Sequence, residues 1–154
     1  MRAIIMAIAA ALAVQAQAQQ PISMPIAKGF WTNMGQNCAS THYGYVYDGK
    51  RWGALYYYGP NGSMGPAAEL QPITQTRKVD GGFTQMQFGG YDGAGYFRMK
   101  SLDANRAVYR VGAPFREEIQ EGDEQLIRCS YASLSAKMKT AIRKHAPGLV
   151  PPVK

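Results

Sequence analysis

The sequence predicts an all-β domain: an antiparallel up-and-down barrel, or a strongly curved meander of about eight to nine strands, followed by one C-terminal helix. Three observations predict it. Short runs rich in aromatic and β-branched residues alternate with Asp-Gly and Asn-Gly pairs, which tolerate the positive φ of tight hairpin turns. The 17 glycines are spread through a stretch with no long helical periodicity, which argues against a βαβ organisation. A helical pattern is convincing only after the last expected strand.

Residues 1–18 read as an export signal. Arg2 supplies a positive start, Ile4 to Val14 form an apolar run, and Ala16-Gln17-Ala18 matches a small-x-small cleavage site. No later stretch approaches the ~20 apolar residues of a membrane helix, so the expectation is a soluble protein, periplasmic or secreted. Residues 19–26 (QQPISMPI) form an extended arm, because two prolines exclude helix and weaken a central strand.

Residues 27–132 carry the barrel. Strands are expected at Ala27–Met34, Thr41–Tyr47, Arg51–Tyr58, Glu69–Lys78, Phe83–Phe88, Gly95–Ser101, Ala107–Val111, Phe115–Gln120 and Glu124–Tyr131. Asp48-Gly49, Asn61-Gly62, Asp80-Gly81, Asp92-Gly93 and Gly122-Asp123 supply the turns. The helix is expected over residues 133–146, capped by Ser133 or Ser135, with Leu134, Met138, Ala141, Ile142 and His145 on one face. Pro147-Gly148 ends it and residues 147–154 form a tail.

An even count of two cysteines in an exported chain predicts a Cys38–Cys129 disulfide, tying the opening of the domain to its last strand. So long a loop corresponds to a contribution of up to about 4–5 kcal/mol in the chain-entropy model. The competing reading is a nucleophilic Cys38 served by His42. Residues four apart on a strand share a face but lie too far apart to hydrogen-bond, which disfavours it.

Charge narrows the partners. Without Arg2, one of 17 basic residues, 16 face 10 acidic ones, a net of +6. Lys137, Lys139, Arg143, Lys144 and Lys154 account for +5 of this after Ser133, where there is no acid. The body is therefore close to neutral, and the basic face expected of a nucleic-acid binder is missing. Lys137, Lys139, Arg143 and Lys144 form a basic patch that reads first as a solvated helix face. Weak contact with an anionic membrane surface or an acidic partner is the functional alternative.

Ten tyrosines are the other compositional feature. Tyr43, Tyr45 and Tyr47 share one face of a strand, and Tyr56, Tyr57 and Tyr58 follow in the next, so a hairpin turning at Asp48 to Lys50 makes them cross-strand neighbours. They read either as the amphipathic cover of a small barrel or, with Trp52, as a recognition surface for an apolar ligand, a glycan or a protein. Tyr43, Tyr45, Tyr47, Trp52, Tyr56 and Tyr58 are the candidate binding residues.

Signals for catalysis are weak. His42 and His145 belong to no zinc spacing, and no nucleophile elbow or phosphate-cradling loop is present. Glu117 and Glu118 are adjacent and would point to opposite faces of a strand, while Glu69, Asp80, Asp92 and Asp103 read as turn or surface residues. The expectation is a protein that is not an enzyme and uses no metal or cofactor.

The Gly29-Phe30-Trp31 entry, the meander and Arg128 in the last strand before a helix together resemble the lipocalin and wider calycin pattern. That resemblance implies a barrel closed at one end by Trp31, with Arg128 packed over its ring. It also implies a carrier that binds a small apolar ligand or an envelope component in a cavity lined by tyrosines, Phe83, Phe88, Phe97 and methionines. Periplasmic inhibitors of secreted metalloproteases supply the alternative, in which Gln19 to Ile26 would enter a protease cleft and the Gly59 to Pro66 loop would be a second contact. Their bridge is local, whereas Cys38 and Cys129 span most of this domain. The sequence does not set the oligomeric state.

Overall fold

The computed structural model describes residues 22–89, 97–112, 118–119 and 121–153. The expected signal segment, the start of the arm and the Asp92-Gly93 turn lie outside the described residues. So does most of the expected strand at Phe115–Gln120, of which Glu118 and Ile119 are described and are not in a strand.

Eight strands form a closed antiparallel barrel in simple up-and-down order. They are β1 (Gly29–Asn33), β2 (Tyr43–Tyr47), β3 (Arg51–Tyr58), β4 (Met64–Lys78), β5 (Thr84–Phe88), β6 (Phe97–Ser101), β7 (Arg106–Val111) and β8 (Glu124–Cys129). One helix, α1 (Ala136–His145), follows. Each strand pairs with the next, and β8 returns to β1 with Phe30 opposite Cys129 and Trp31 opposite Arg128. Closure removes the free strand edges that an open sheet would expose.

Turn chemistry sets these hairpins. Asp48 accepts the Lys50 and Arg51 backbone N–H groups at 3.0 and 2.7 Å and the Arg51 Nε at 2.7 Å, pinning the β2–β3 turn. Asp80–Gly82 forms a single 3-10 turn between β4 and β5. The Gly59 to Pro66 segment is more ordered than its glycine content suggests. Pro60–Gly62 makes one 3-10 turn, with Asn61 in the left-handed region, and β4 already begins at Met64 rather than Glu69. The added length follows from a register shift between Tyr56 and Tyr58, which lets Met64 pair with Tyr58 beyond the irregularity.

Two cores result because both faces of the β1–β3 sheet are covered. Inside the barrel lie Trp31, Tyr45, Tyr47, Trp52, Met86, Met99, Tyr109 and Leu126, with Ile26 from the arm. On the outside, Phe30, Val46, Leu55 and Tyr57 pack against Leu134, Met138, Ala141 and Ile142. Gly44 has to be glycine here: a Cβ would fall 2.4 Å from both the Phe30 ring and the Trp31 carbonyl oxygen.

The helix is capped by Ser135, whose hydroxyl accepts the Met138 N–H at 3.1 Å, while Arg143, Lys144 and His145 occupy its last turn, where cations favour the dipole. Polar contacts fix it to the sheet. The Tyr57 hydroxyl donates to the Lys137 carbonyl at 3.0 Å, and Arg51 Nη2 donates to the His145 carbonyl at 3.0 Å. The expected basic patch is partly engaged. Lys137 donates to the Gly62 carbonyl and lies 4.3 Å from the Tyr57 ring centre, and Lys139 donates to the Ala132 carbonyl at 2.9 Å. Arg143 bonds Thr140 and Tyr131, and Lys144 stands exposed.

Cys38, in the β1–β2 connection, is bonded to Cys129 of β8 with a Cα separation of 5.7 Å across 91 residues. Its sulfur is therefore unavailable as the nucleophile considered above. The bridge fits an oxidising, extracytoplasmic compartment.

Candidate functional site

Up-and-down order places the last residues of β1, β3, β5 and β7 and the first residues of β2, β4, β6 and β8 at one end of the barrel, and the described part of the arm, with the β2–β3, β4–β5 and β6–β7 turns, at the opposite end. The arm end is closed by side chains. Ile26 is buried among the inner cluster, Ile22 and Met24 pack against it, and the Ser23 N–H donates to Thr76 Oγ1 at 3.0 Å. Trp31 is fully buried there and its Nε1 donates to the Ala27 carbonyl at 3.1 Å. The Arg128 stem runs beside it over Gly29, where a Cβ would come within 3.2 Å of Cγ and Cδ.

The other end holds a cavity of about 330 Å³. Trp52 forms its floor, Tyr43, Tyr45, Phe88, Phe97 and Tyr109 its aromatic wall, and Ala54, Glu69, Gln71, Val111 and Glu124 the rest. Strand alternation explains the set. Tyr45 pairs with Ala54 and Tyr43 with Tyr56 across β2–β3, Ala54 with Glu69 and Trp52 with Gln71 across β3–β4, and Tyr109 with Glu124 across β7–β8. Paired residues share a face, so these side chains converge. Gly53 between them lets β4 approach closely: a Cβ would sit 1.9 Å from the Glu69 carbonyl oxygen.

The aromatic rings form a connected group. Tyr45 stacks on Trp52 at 5.1 Å between centroids with 9° between planes, and Tyr109 meets both edge-on at 5.2 and 5.3 Å. Phe88 and Phe97 make a T-shaped pair at 4.8 Å. These separations are those at which edge and face quadrupoles attract.

A polar relay crosses the wall. The Tyr43 hydroxyl donates to the Tyr45 hydroxyl at 3.1 Å, and the Tyr45 hydroxyl donates to the Glu124 carboxylate at 2.7 and 2.8 Å. Burial, then the bonds to Tyr43 and Glu124, push the Tyr45 hydroxyl far above the ordinary phenol range, so it remains a neutral donor. At the rim the Tyr56 hydroxyl donates to Glu69 at 2.7 Å, and that bond raises its own titration. Burial also raises Tyr109, an effect the nearby Trp52 partly offsets. Trp52 is 2% exposed, and its Nε1 makes no well-formed hydrogen bond.

Of the candidate binding residues, Tyr43, Tyr45 and Trp52 are brought together in the cavity. Tyr56 and Tyr58 stand at the rim, 6.3 Å apart between ring centres, and Tyr47 is buried with the inner cluster toward the closed end. Tyr45 and Tyr47 thus face the interior of the barrel, Tyr43 and Tyr58 are exposed at its mouth, and Tyr57 alone of its run turns outward to the helix. Glu69 is an exposed surface residue as expected, and its pairing with Ala54 sets it at the cavity mouth. One expectation changes. Phe83 does not line the cavity: Thr84, Met86 and Phe88 take the inward positions of β5, leaving Phe83 buried on the outer face of the barrel, 4.6 Å from the Arg110 guanidinium. Tyr109 and Glu124 escaped sequence reasoning altogether; their signal is a cross-strand pairing that no spacing encodes. Among the described residues no group of three or more His, Cys, Asp or Glu is arranged to hold a metal ion.

No family model, curated protein or solved structure matches this chain, so its eight-stranded closed barrel with one C-terminal helix is the level at which its kinship is described.

Proposed function

We propose that this protein is an exported, non-catalytic binding protein of lipocalin-like build that holds a small, largely apolar ligand in the mouth of its barrel, in the periplasm or outside the cell. The observation that carries this reading is the 330 Å³ cavity walled by aromatic rings at the end opposite the arm. Ligand sites are concave, mostly apolar and provided with a few placed polar groups, and Glu124 and Glu69 are such groups. The protease-inhibitor reading draws less support, since Ile22, Met24 and Ile26 of the arm are used to close the barrel.

The test uses N-phenyl-1-naphthylamine, an uncharged apolar fluorophore. Saturable one-to-one binding is expected, with energy transfer from Trp52, and Ala54→Phe should abolish it by filling the cavity while leaving the thermal transition in place. Absence of saturable binding, or binding indifferent to Ala54→Phe, would overturn the reading.

A further inference from the structure

The charge inside the barrel mouth is opposite to that of the chain. The protein carries a formal net charge of +7, yet among the described residues the cavity is lined by two carboxylates, Glu69 and Glu124, and by no Lys, Arg or His. Among the described residues neither carboxylate belongs to an ion pair. Glu124 receives the Tyr45 hydroxyl and Glu69 the Tyr56 hydroxyl, which leaves most of the roughly four lone-pair sites of each carboxylate unused.

We propose that the ligand is an organic cation: an ammonium or quaternary ammonium group carried on a small apolar body. This rests on the barrel mouth being the ligand site, and adds the sign of the ligand's charge. Three features converge on it. Glu124 is half-buried among the rings with no described counter-charge, a costly position for which a bound cation supplies the partner, while Glu69 stands exposed at the mouth. The faces of Tyr45, Trp52 and Tyr109 carry negative quadrupole density that attracts a cation within about 6 Å of a ring centre. Because Tyr45 stays protonated, the relay from Tyr43 to Glu124 holds the carboxylate in place without adding a charge of its own.

The same arrangement rejects anions. A carboxylate ligand would meet two like charges and no described cation, so a fatty-acid-type occupant is selected against even though the rings would accept its chain.

The experiment compares three probes of similar size in displacing N-phenyl-1-naphthylamine: benzyltrimethylammonium, its uncharged carbon isostere neopentylbenzene, and phenylacetate. The cation is expected to bind about tenfold or more tighter than the isostere, with phenylacetate weakest. In Glu124→Gln, whose amide oxygen can still accept the Tyr45 hydroxyl, that preference should fall to about threefold or less, with Glu69→Gln as a second, independent variant. Thermal melts of both variants establish that they are folded, and the wild-type preference is decisive by itself if one is not. Equal binding of the cation and the isostere, tighter binding of phenylacetate, or a preference untouched in both folded variants would overturn the cationic assignment while leaving a ligand-binding barrel intact. Failure of the fluorophore and of every probe to bind would overturn both.

Discussion

Replacing Ile142 by alanine tests the outer core that holds the helix on the barrel. Ile142 is 1% exposed and belongs to the cluster that joins Phe30, Val46 and Leu55 to the helix. Removing the equivalent of three methylene groups forfeits about 2.4 kcal/mol at ~0.8 kcal/mol each. A residual void of roughly 60 Å³, if the neighbours do not relax, adds about 1.4 kcal/mol at ~24 cal/mol per Å³. The expected loss is therefore about 2.5–4 kcal/mol, read from urea denaturation with an unchanged slope so that the difference belongs to the folded state. Lys139→Glu combined with Arg143→Glu is the control. These side chains make surface contacts, and their reversal, including the lost dipole interaction at Arg143, should cost about 1 kcal/mol. A loss below ~1 kcal/mol for Ile142→Ala, or one no larger than that of the charge reversal, would refute the account of a helix held by apolar docking.

At the closed end, Arg128→Ala should lower stability by about 1 kcal/mol whereas Arg128→Met, which keeps an unbranched stem over Gly29 and beside Trp31, should lose less than half of that. Equal losses in thermal or urea unfolding would move the effect from the stem to the guanidinium. His145 supplies a pH dependence. Burial, followed by the Lys144 and Arg51 charges, holds its imidazole below the ordinary value, so above about pH 6.5 it is neutral folded and unfolded alike and contributes no slope. As pH falls below that, the unfolded chain takes up the proton first, and stability should decline until the folded-state value is passed and then level off. His145→Gln should flatten this part of the profile in urea titrations between pH 7.5 and 5; an undiminished slope would locate the titrating group elsewhere.

Strand alternation, turn pairs, the parity of the cysteines and the amphipathic stretch after Tyr131 are local properties, and from them the sequence alone determined an antiparallel barrel or meander, a Cys38–Cys129 bridge and a docked helix face. The β2–β3 hairpin was legible in the same way, since Asp48-Gly49 sets its turn and the spacing of Tyr43, Tyr45 and Tyr47 sets its register. Which face of that hairpin points inward was not. In β2, Tyr45 and Tyr47 are buried on one side and Val46 on the other, because the barrel covers one face and the helix its opposite. Alternation divides such a strand into two faces without ranking them, and only closure through β1 and β8 decides the matter. Closure also decided the site. Glu124 lies 79 residues from Tyr45 and becomes its hydrogen-bond acceptor only when the last strand returns to the first, while Glu69 is set at the cavity mouth only through its pairing with Ala54. The chemistry of the barrel mouth is a product of long-range register, which is a property of the assembled sheet and not of any window along the chain.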